Sequence, residues 1–371
     1  MSLLPAVETI PPGLVNLGDH EDHAHSKLDT NAWAYFSGGA ADEITLHNNR
    51  KSWSDIQLYP RMLKNLVGGH TRINLFGKTL AHPIMLAPVA FQRMAHRDGE
   101  MASAYAAAMQ GAGMVLSSQA SMPLEQIAQA YLGEASRGPL WFQLYVQHDR
   151  GFTKELVRRA EQAGYEALVL TVDASCSGVR DRERRTGFRL PADISAVNLA
   201  GLPPPAPITL EPHQSRMFDG LLRQAPTWDD LLWLRETTRL PLLLKGILHE
   251  DDARHAKQLG IDGLVVSNHG GRTLDTAPPT SAVLPRIRAA VGADYPLLVD
   301  GGIRRGTDVL KAISLGADAV MIGRPYVFGL ANAGAMGVSH VLRLLRDELE
   351  IAMALCGCKT LADADASLIF Q

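Results

Sequence analysis

Residues 267–275 read SNHGGRTLD and follow the short apolar run Gly263-Leu264-Val265-Val266. His269 is a base that titrates near neutral pH, and Arg272, three positions on, is a permanent cation with a planar fork of donors. These are the residue types of proton transfer and anion binding, and two glycines leave the backbone between them free to turn. Similar apolar runs end in Pro88-Val89-Ala90, Ser117-Ser118-Gln119, Thr171-Val172-Asp173, Lys245-Gly246, Asp300-Gly301-Gly302 and Gly323-Arg324, and another carries Gln143 and Tyr145. Taken singly, such a Ser, Gln or Thr is an ordinary satisfied polar group, and a Lys is ordinarily solvated. A Lys, Arg, Asp and His buried together are costly without partners or a ligand. Their recurrence at nearly every run end therefore points to a site.

Two of these endings suggest a phosphate. Asp300-Gly-Gly-Ile-Arg304-Arg-Gly306 opens one helix and Ile322-Gly-Arg-Pro325 another. Glycines let backbone N–H groups approach an anion, helix N-termini favour negative charge, and arginines add bidentate bonds. The pattern suits a cofactor phosphate and a phosphorylated substrate equally.

The elements that must position these residues are short, apolar and regularly spaced. Strands are expected at 84–87, 114–117, 141–146, 167–172, 242–245, 263–267, 297–300 and 319–322. Helical spacing lies between them at 98–110, 123–131, 152–163, 228–237, 250–259, 281–291 and 306–315, with a long last pattern over about 334–355. Gly164, Gly260 and Gly316 supply C-terminal stops. Eight apolar strands alternating with helices predict an α/β fold, a closed (β/α)₈ TIM barrel whose C-terminal strand ends gather on one face. An open doubly wound sheet is the alternative, disfavoured because no G-x-G-x-x-G follows the first strand. Residues 1–82 precede the barrel and are expected to cap or flank it. Residues 175–226, with Pro203-Pro-Pro205, Pro207 and Pro212, read as a long loop after strand four. The whole chain, 1–371, reads as a single domain.

A formal charge of −3 without long basic blocks argues against a nucleic-acid partner. Cys176, Cys356 and Cys358 form no disulfide framework or zinc spacing and suit a reducing cytoplasm. The N-terminus has no basic-then-apolar leader, no run of about 18 apolar residues exists, and the chain does not end in a peroxisomal address. His20, His23 and His25, among Asp19, Glu21 and Asp22, are read as a solvated or frayed segment rather than a metal site; no metal is expected.

From Tyr35 to Cys358 the chain resembles the FMN-dependent α-hydroxy-acid oxidases and dehydrogenases, the family of glycolate oxidase, lactate oxidase and the flavin domain of flavocytochrome b2. The resemblance is carried by AYFSGGA at 34–40, PIMLAP at 83–88, WFQLY at 141–145, LTVD at 170–173, LKG at 244–246, the stretch 267–275, LVDGG at 298–302 and IGRP at 322–325. It implies FMN as cofactor and oxidation of a 2-hydroxy acid to a 2-oxo acid. His269 would be the catalytic base, taking either the hydroxyl or the Cα proton, with Asp173 orienting its ring. Arg180, Arg272 and Tyr35 would hold the substrate carboxylate, and Tyr145 would stand beside the hydroxyl. Lys245 would face flavin N1, while Pro88, Val89, Ala90, Ser117, Gln143, Thr171 and Ser267 would surround the ring system. Asp300, Gly302, Arg304, Gly323 and Arg324 would hold the ribityl phosphate. A homotetramer also goes with the resemblance.

Four positions depart from the family pattern. Gln119 stands where glycolate oxidase has a tryptophan, which implies a roomier substrate pocket. Val89 replaces a threonine. Ala90 leans toward oxygen rather than a quinone or another acceptor. Gly178-Val179-Arg180 departs from Gly-Arg-Arg but keeps the carboxylate arginine. The 175–226 segment has few basic residues and several prolines, which argues against membrane attachment. The competing readings are an FMN isomerase or nucleotide dehydrogenase, which would lack SNHGGR, and a non-catalytic phosphate-binding protein, which would hold no flavin.

Overall fold

The computed structural model describes Pro5 and residues 7–370. Residues 1–4, 6 and 371, on which the readings of leader and C-terminal address partly bear, lie outside the described residues. Three helices come first: α1 (Leu17–Lys27), α2 (Thr30–Ser37) and α3 (Ile44–Asp55). An antiparallel hairpin follows, β1 (Ile73–Leu75) and β2 (Lys78–Leu80). Then β3 (Ile84–Leu86), β4 (Gly113–Ser117), β5 (Leu140–Leu144), β6 (Leu168–Thr171), β7 (Leu242–Ile247), β8 (Gly263–Val266), β9 (Leu297–Val299) and β10 (Ala319–Ile322) pair in chain order. All are parallel, and β10 returns to β3, with Val320 beside Ile84, closing the barrel. The expected TIM barrel is thus the fold, and the open sheet is excluded.

Helices α4 (Gly99–Met109), α5 (Leu124–Leu132), α6 (Arg150–Ala163), α7 (Asp181–Thr186), α8 (Trp228–Thr237), α9 (Glu250–Gln258), α10 (Thr280–Val291) and α11 (Gly306–Ser314) lie along the connections. The last helix, α12 (Arg324–Cys356), is longer than the expected 334–355 pattern and breaks at Ala333-Gly334, where Gly334 has φ +53°.

Each barrel strand divides its residues by parity. Met85, Val115, Trp141, Val169, Leu243, Val265, Leu298 and Met321 form the inner core. Their neighbours, such as Leu86, Leu116, Phe142, Leu170, Leu244, Val266 and Val299, pack outward under the helices. The hairpin plugs the N-terminal mouth: Leu75 and Leu80 join the inner core, and Phe76 meets Trp141 edge-on at 5.7 Å. Helices α2 and α3 instead reach the opposite mouth. The described part of the segment before β3 therefore reaches both ends of the barrel, a division the sequence reading left open.

The segment that carries the N-terminal histidines is not frayed but helical, with His20 buried, His23 half-buried and His25 exposed. Asn16 and Asp19 form a capping box for α1, and Leu17, His20 and Ala24 make a buried face against α12. His20 Nε2 lies 2.9 Å from His340 Nδ1, and Asn332 Nδ2 lies 3.1 Å from His20 Nδ1. That pattern is satisfied only by a neutral ring, and burial, with His340 beside it, pulls the His20 pKa down to about 4. His82 is alike: Nδ1 accepts from Ile84 N, Nε2 faces Gln110 O at 3.0 Å, and burial lowers its pKa to about 4.

Between pH 6.5 and 4 the unfolded chain protonates both rings while the folded chain does not, so stability falls on acidification through that window. At pH 5 the loss is on the order of 2 kcal/mol per ring. Urea unfolding at pH 7 and pH 5 should show the fall, and His82→Gln should make it shallower by about that amount. An unchanged pH slope in the variant would refute the assignment.

Candidate active site

The C-terminal strand ends open into one cavity, which runs from Tyr35, His269 and Arg272 to Gly302, Arg304 and Arg324. Every site residue expected from the sequence lines it, except Asp173 and Ser267, which stand directly behind lining residues. The cause is strand parity. The inward register that packs Val115, Trp141, Val169, Leu243, Val265 and Leu298 continues one step further as Ser117, Gln143, Thr171, Lys245, Ser267 and Asp300. Ser117 Oγ donates to Gln143 Oε1 at 3.2 Å and Gln143 Nε2 to Thr171 Oγ1 at 3.0 Å, a chain across three strands.

His269 itself has φ +56°, and Gly270 and Gly271 follow with φ +62° and +74°. A side chain at 271 would also strike the backbone N of Leu46, 2.6 Å away. Left-handed geometry at a non-glycine costs roughly 1–2 kcal/mol and needs a rigid surround. The reciprocal Asn49–Asn268 amide pair, both bonds 2.8 Å, supplies it by tying α3 to the loop. Ala40 N donates to Gly271 O at 2.7 Å, stitching the segment after α2 to the same turn.

His269 Nδ1 lies 2.9 Å from Asp173 Oδ1. Burial raises the Asp173 pKa, but the ring and then Lys245 more than offset it, so the carboxylate stays ionised. Burial, with Lys245 and Arg272 nearby, holds the His269 pKa below its ordinary value despite Asp173, so the resting imidazole is neutral. A neutral ring facing a carboxylate through Nδ1 must carry its proton there, leaving the Nε2 lone pair free. Asp173 owes its place to Gly246, whose φ is +114° and whose missing Cβ would lie 2.5 Å from the Asp173 Cβ.

Lys245 is buried beside Asp300, Nζ to Oδ2 3.1 Å, and donates to Ser267 Oγ at 2.9 Å. Burial pulls its pKa down, Asp300 and Asp173 push it up further, and it stays charged. Tyr145 is neutral, its pKa raised first by burial and then by Asp173. Arg272 lies over the Tyr35 ring at 4.9 Å and donates to the carbonyls of Tyr35 and Gly38. Arg180 Nε reaches Arg272 O at 3.4 Å.

At the far end Arg304, Arg324 and Arg50 crowd together. Burial and then Arg50 pull the Arg304 pKa down to about 10; Arg324 is lowered well below its ordinary value by burial, then by Arg272, Arg304 and Arg50. Two carboxylates lie nearby: Glu21, paired with Arg50 and 3.8 Å from Arg304, and Asp308, which accepts from Arg304 N at 2.9 Å. The Nε atoms of Arg304 and Arg50 are buried without a partner. Surplus positive charge and orphaned donors beside the N-termini of α11 and α12 fit a phosphate. Arg324 lines the cavity, but its guanidinium donates to the carbonyls of Phe36, Gly38 and Gly270. Arg50, Asn49 and Glu183 were not singled out in the sequence, because they lie off the strand ends. Glu21 was named only beside the N-terminal histidines, and Gly246 only as the residue that follows Lys245.

A closed α/β barrel with a phosphate cradle at one end of its cavity and a carboxylate-oriented base between arginines at the other defines a flavin-dependent oxidoreductase class. Residues 24–371 match the FMN-dependent dehydrogenase family, and the chain belongs to it, with FMN as its cofactor. It is 48% identical over 357 residues to an L-lactate oxidase of Alicycliphilus denitrificans, covering 96% of each chain. It is 42% identical over 366 residues to human 2-hydroxyacid oxidase 1, covering 96% of this chain and 97% of that one. A solved structure of mandelate oxidase with benzoyl-formic acid superposes with a TM-score of 0.84 at 42% identity, covering 94% of this chain and 96% of that one.

Proposed function

We propose that the protein oxidises L-2-hydroxy acids to 2-oxo acids and delivers the electrons to O₂, releasing hydrogen peroxide. The observation that carries this reading is the His269–Asp173 pair, 2.9 Å apart, opening on the same cavity as Arg180, Arg272 and Lys245. FMN, when bound, supplies the two-electron acceptor. Arg272 and Arg180 grip the substrate carboxylate, with Tyr35 beside them. Tyr145 stands by the hydroxyl. His269 Nε2 takes the substrate proton, and Asp173 stabilises the imidazolium that results. Lys245, held charged by Asp300, places a cation where negative charge gathers on electron transfer. The Ser117–Gln143–Thr171 chain, with Pro88, Val89, Ala90 and Ser267, supports the ring system. Asp300, Gly302, Arg304, Gly323 and Arg324 hold the ribityl phosphate, with Arg50 as a further cation. Gln119, at the cavity wall, gives room for lactate- or mandelate-sized side chains.

The decisive experiment is anaerobic. L-Lactate or L-mandelate should bleach the yellow holoenzyme, and admitting air should restore the colour with one peroxide per product. No bleaching with any L-2-hydroxy acid would defeat the assignment, and bleaching reversed by a quinone but not by air would make the protein a dehydrogenase. A cytoplasmic homotetramer completes the reading, and light scattering of the purified protein tests the assembly. No helix among the described residues is long and apolar enough to cross a membrane.

A further inference from the structure

Resting on that reading of the site, we infer that Glu183 is the resident counter-ion of the carboxylate clamp and a determinant of its selectivity for monocarboxylates. Glu183 Oε1 lies 3.4 Å from Arg180 Nη1 and 3.3 Å from Arg272 Nη2, so one oxygen is shared by both guanidiniums. It is carried by α7, which is fastened to α2 and the segment that follows it. Arg182 donates to Ser37 Oγ at 3.1 Å and pairs with Glu43, and Phe188, just past the helix, stacks on Tyr35 at 5.1 Å. The carboxylate is therefore held in place beside the clamp before any substrate arrives.

Two guanidiniums against one resident carboxylate leave a single positive charge. One substrate carboxylate closes that balance. A dicarboxylate would bring a second negative charge toward Glu183 in a partly desolvated site, where like charges repel strongly. Glu183 also competes with the incoming carboxylate for the same donors, which weakens capture. Its presence thus trades affinity for discrimination. A purely bracing role, in which Glu183 only holds the two arginines in position, makes the opposite prediction for affinity.

The test is a titration of the oxidised holoenzyme with acetate and with malonate, which lack the reacting hydroxyl, followed by the change in flavin absorbance. Glu183→Gln should bind acetate about 10-fold more tightly, a shift of about 1.4 kcal/mol, and malonate should gain more than acetate. Acetate binding that is unchanged or weaker in a flavin-loaded Glu183→Gln protein would overturn the inference. Should that variant fail to retain flavin, Glu183→Asp decides on the same readout. Its carboxylate is one methylene shorter and draws back from the arginines, so acetate should tighten, and weakening overturns the inference. Adding L-lactate to the wild-type sample keeps the two ideas separate: if the flavin does not bleach, the proposed reaction fails, whereas the anion titration reports on the clamp alone.

Discussion

His269→Gln should lower kcat/KM for an L-2-hydroxy acid by about 10²–10⁴ while the protein stays yellow. The expectation follows from the proton's position in the resting site. Asp173, kept ionised by the ring and Lys245 despite its burial, accepts from Nδ1 and so leaves Nε2 basic. Glutamine occupies similar space but offers no basic nitrogen, and general-base catalysis contributes about 10²–10⁴, or roughly 3–5 kcal/mol of barrier. Flavin should remain because the substitution leaves the Arg50, Glu21 and Arg304 cluster untouched. In the wild-type enzyme kcat/KM should be level at neutral pH and fall on acidification through an apparent pKa below 6.5, since burial holds the His269 pKa beneath its ordinary value. Asp173→Asn tests the same geometry from behind. An amide that donates to Nδ1 moves the ring proton to Nε2 and removes the base without touching the ring. Stopped-flow flavin reduction across pH is the measurement. A His269→Gln enzyme within tenfold of wild type would end the case for a histidine base.

Arg272→Met should lower kcat/KM by about 10³, chiefly through KM, for two linked reasons. Its guanidinium is one of two that face the expected carboxylate, and losing one partner of a desolvated charge pair costs about 2–5 kcal/mol. It also donates to the carbonyls of Tyr35 and Gly38 and lies against the Tyr35 ring, so its loss loosens α2 at the cavity wall. Steady-state kinetics with L-lactate, together with a thermal melt, separates the parts: the first appears in KM, the second in Tm. Arg180→Met should do less to Tm, because its contacts are Glu183 and one carbonyl at 3.4 Å. If Arg272→Met binds substrate within threefold of wild type, the carboxylate lies elsewhere.

Much of this protein could be read from its residues in order. The eight strands were legible because a strand covered by helices outside and packed against its fellows inside is apolar throughout, and such runs stand out between helical spacings. The polar strand-end residues were legible for the same reason, as interruptions of apolar runs. The FMN family followed from motifs, and the structural comparison agrees over nearly the whole chain. The N-terminal histidines misled because acid-rich, histidine-rich composition resembles solvated chain. The decisive feature, the Leu17–His20–Ala24 face, needs α12 beside it before it reads as buried. The opening of α12 was read at Ile322–Pro325, but the break at Ala333-Gly334 separated it from the 334–355 pattern, so the two were not joined into one helix.

Linear order alone determined the barrel and the polar side chains at its strand ends, because each is written in residue type and in a period of two or about 3.6; the cofactor class came from the resemblance carried by the family motifs. Only the tertiary structure decided which charges face one another. Glu183 reaches across from α7 to Arg272, Glu21 from α1 to Arg50 and Arg304, and Gly246 opens the space that Asp173 fills. Those pairings join residues far apart in the chain, and electrostatic balance depends on distance in space, which no local pattern records.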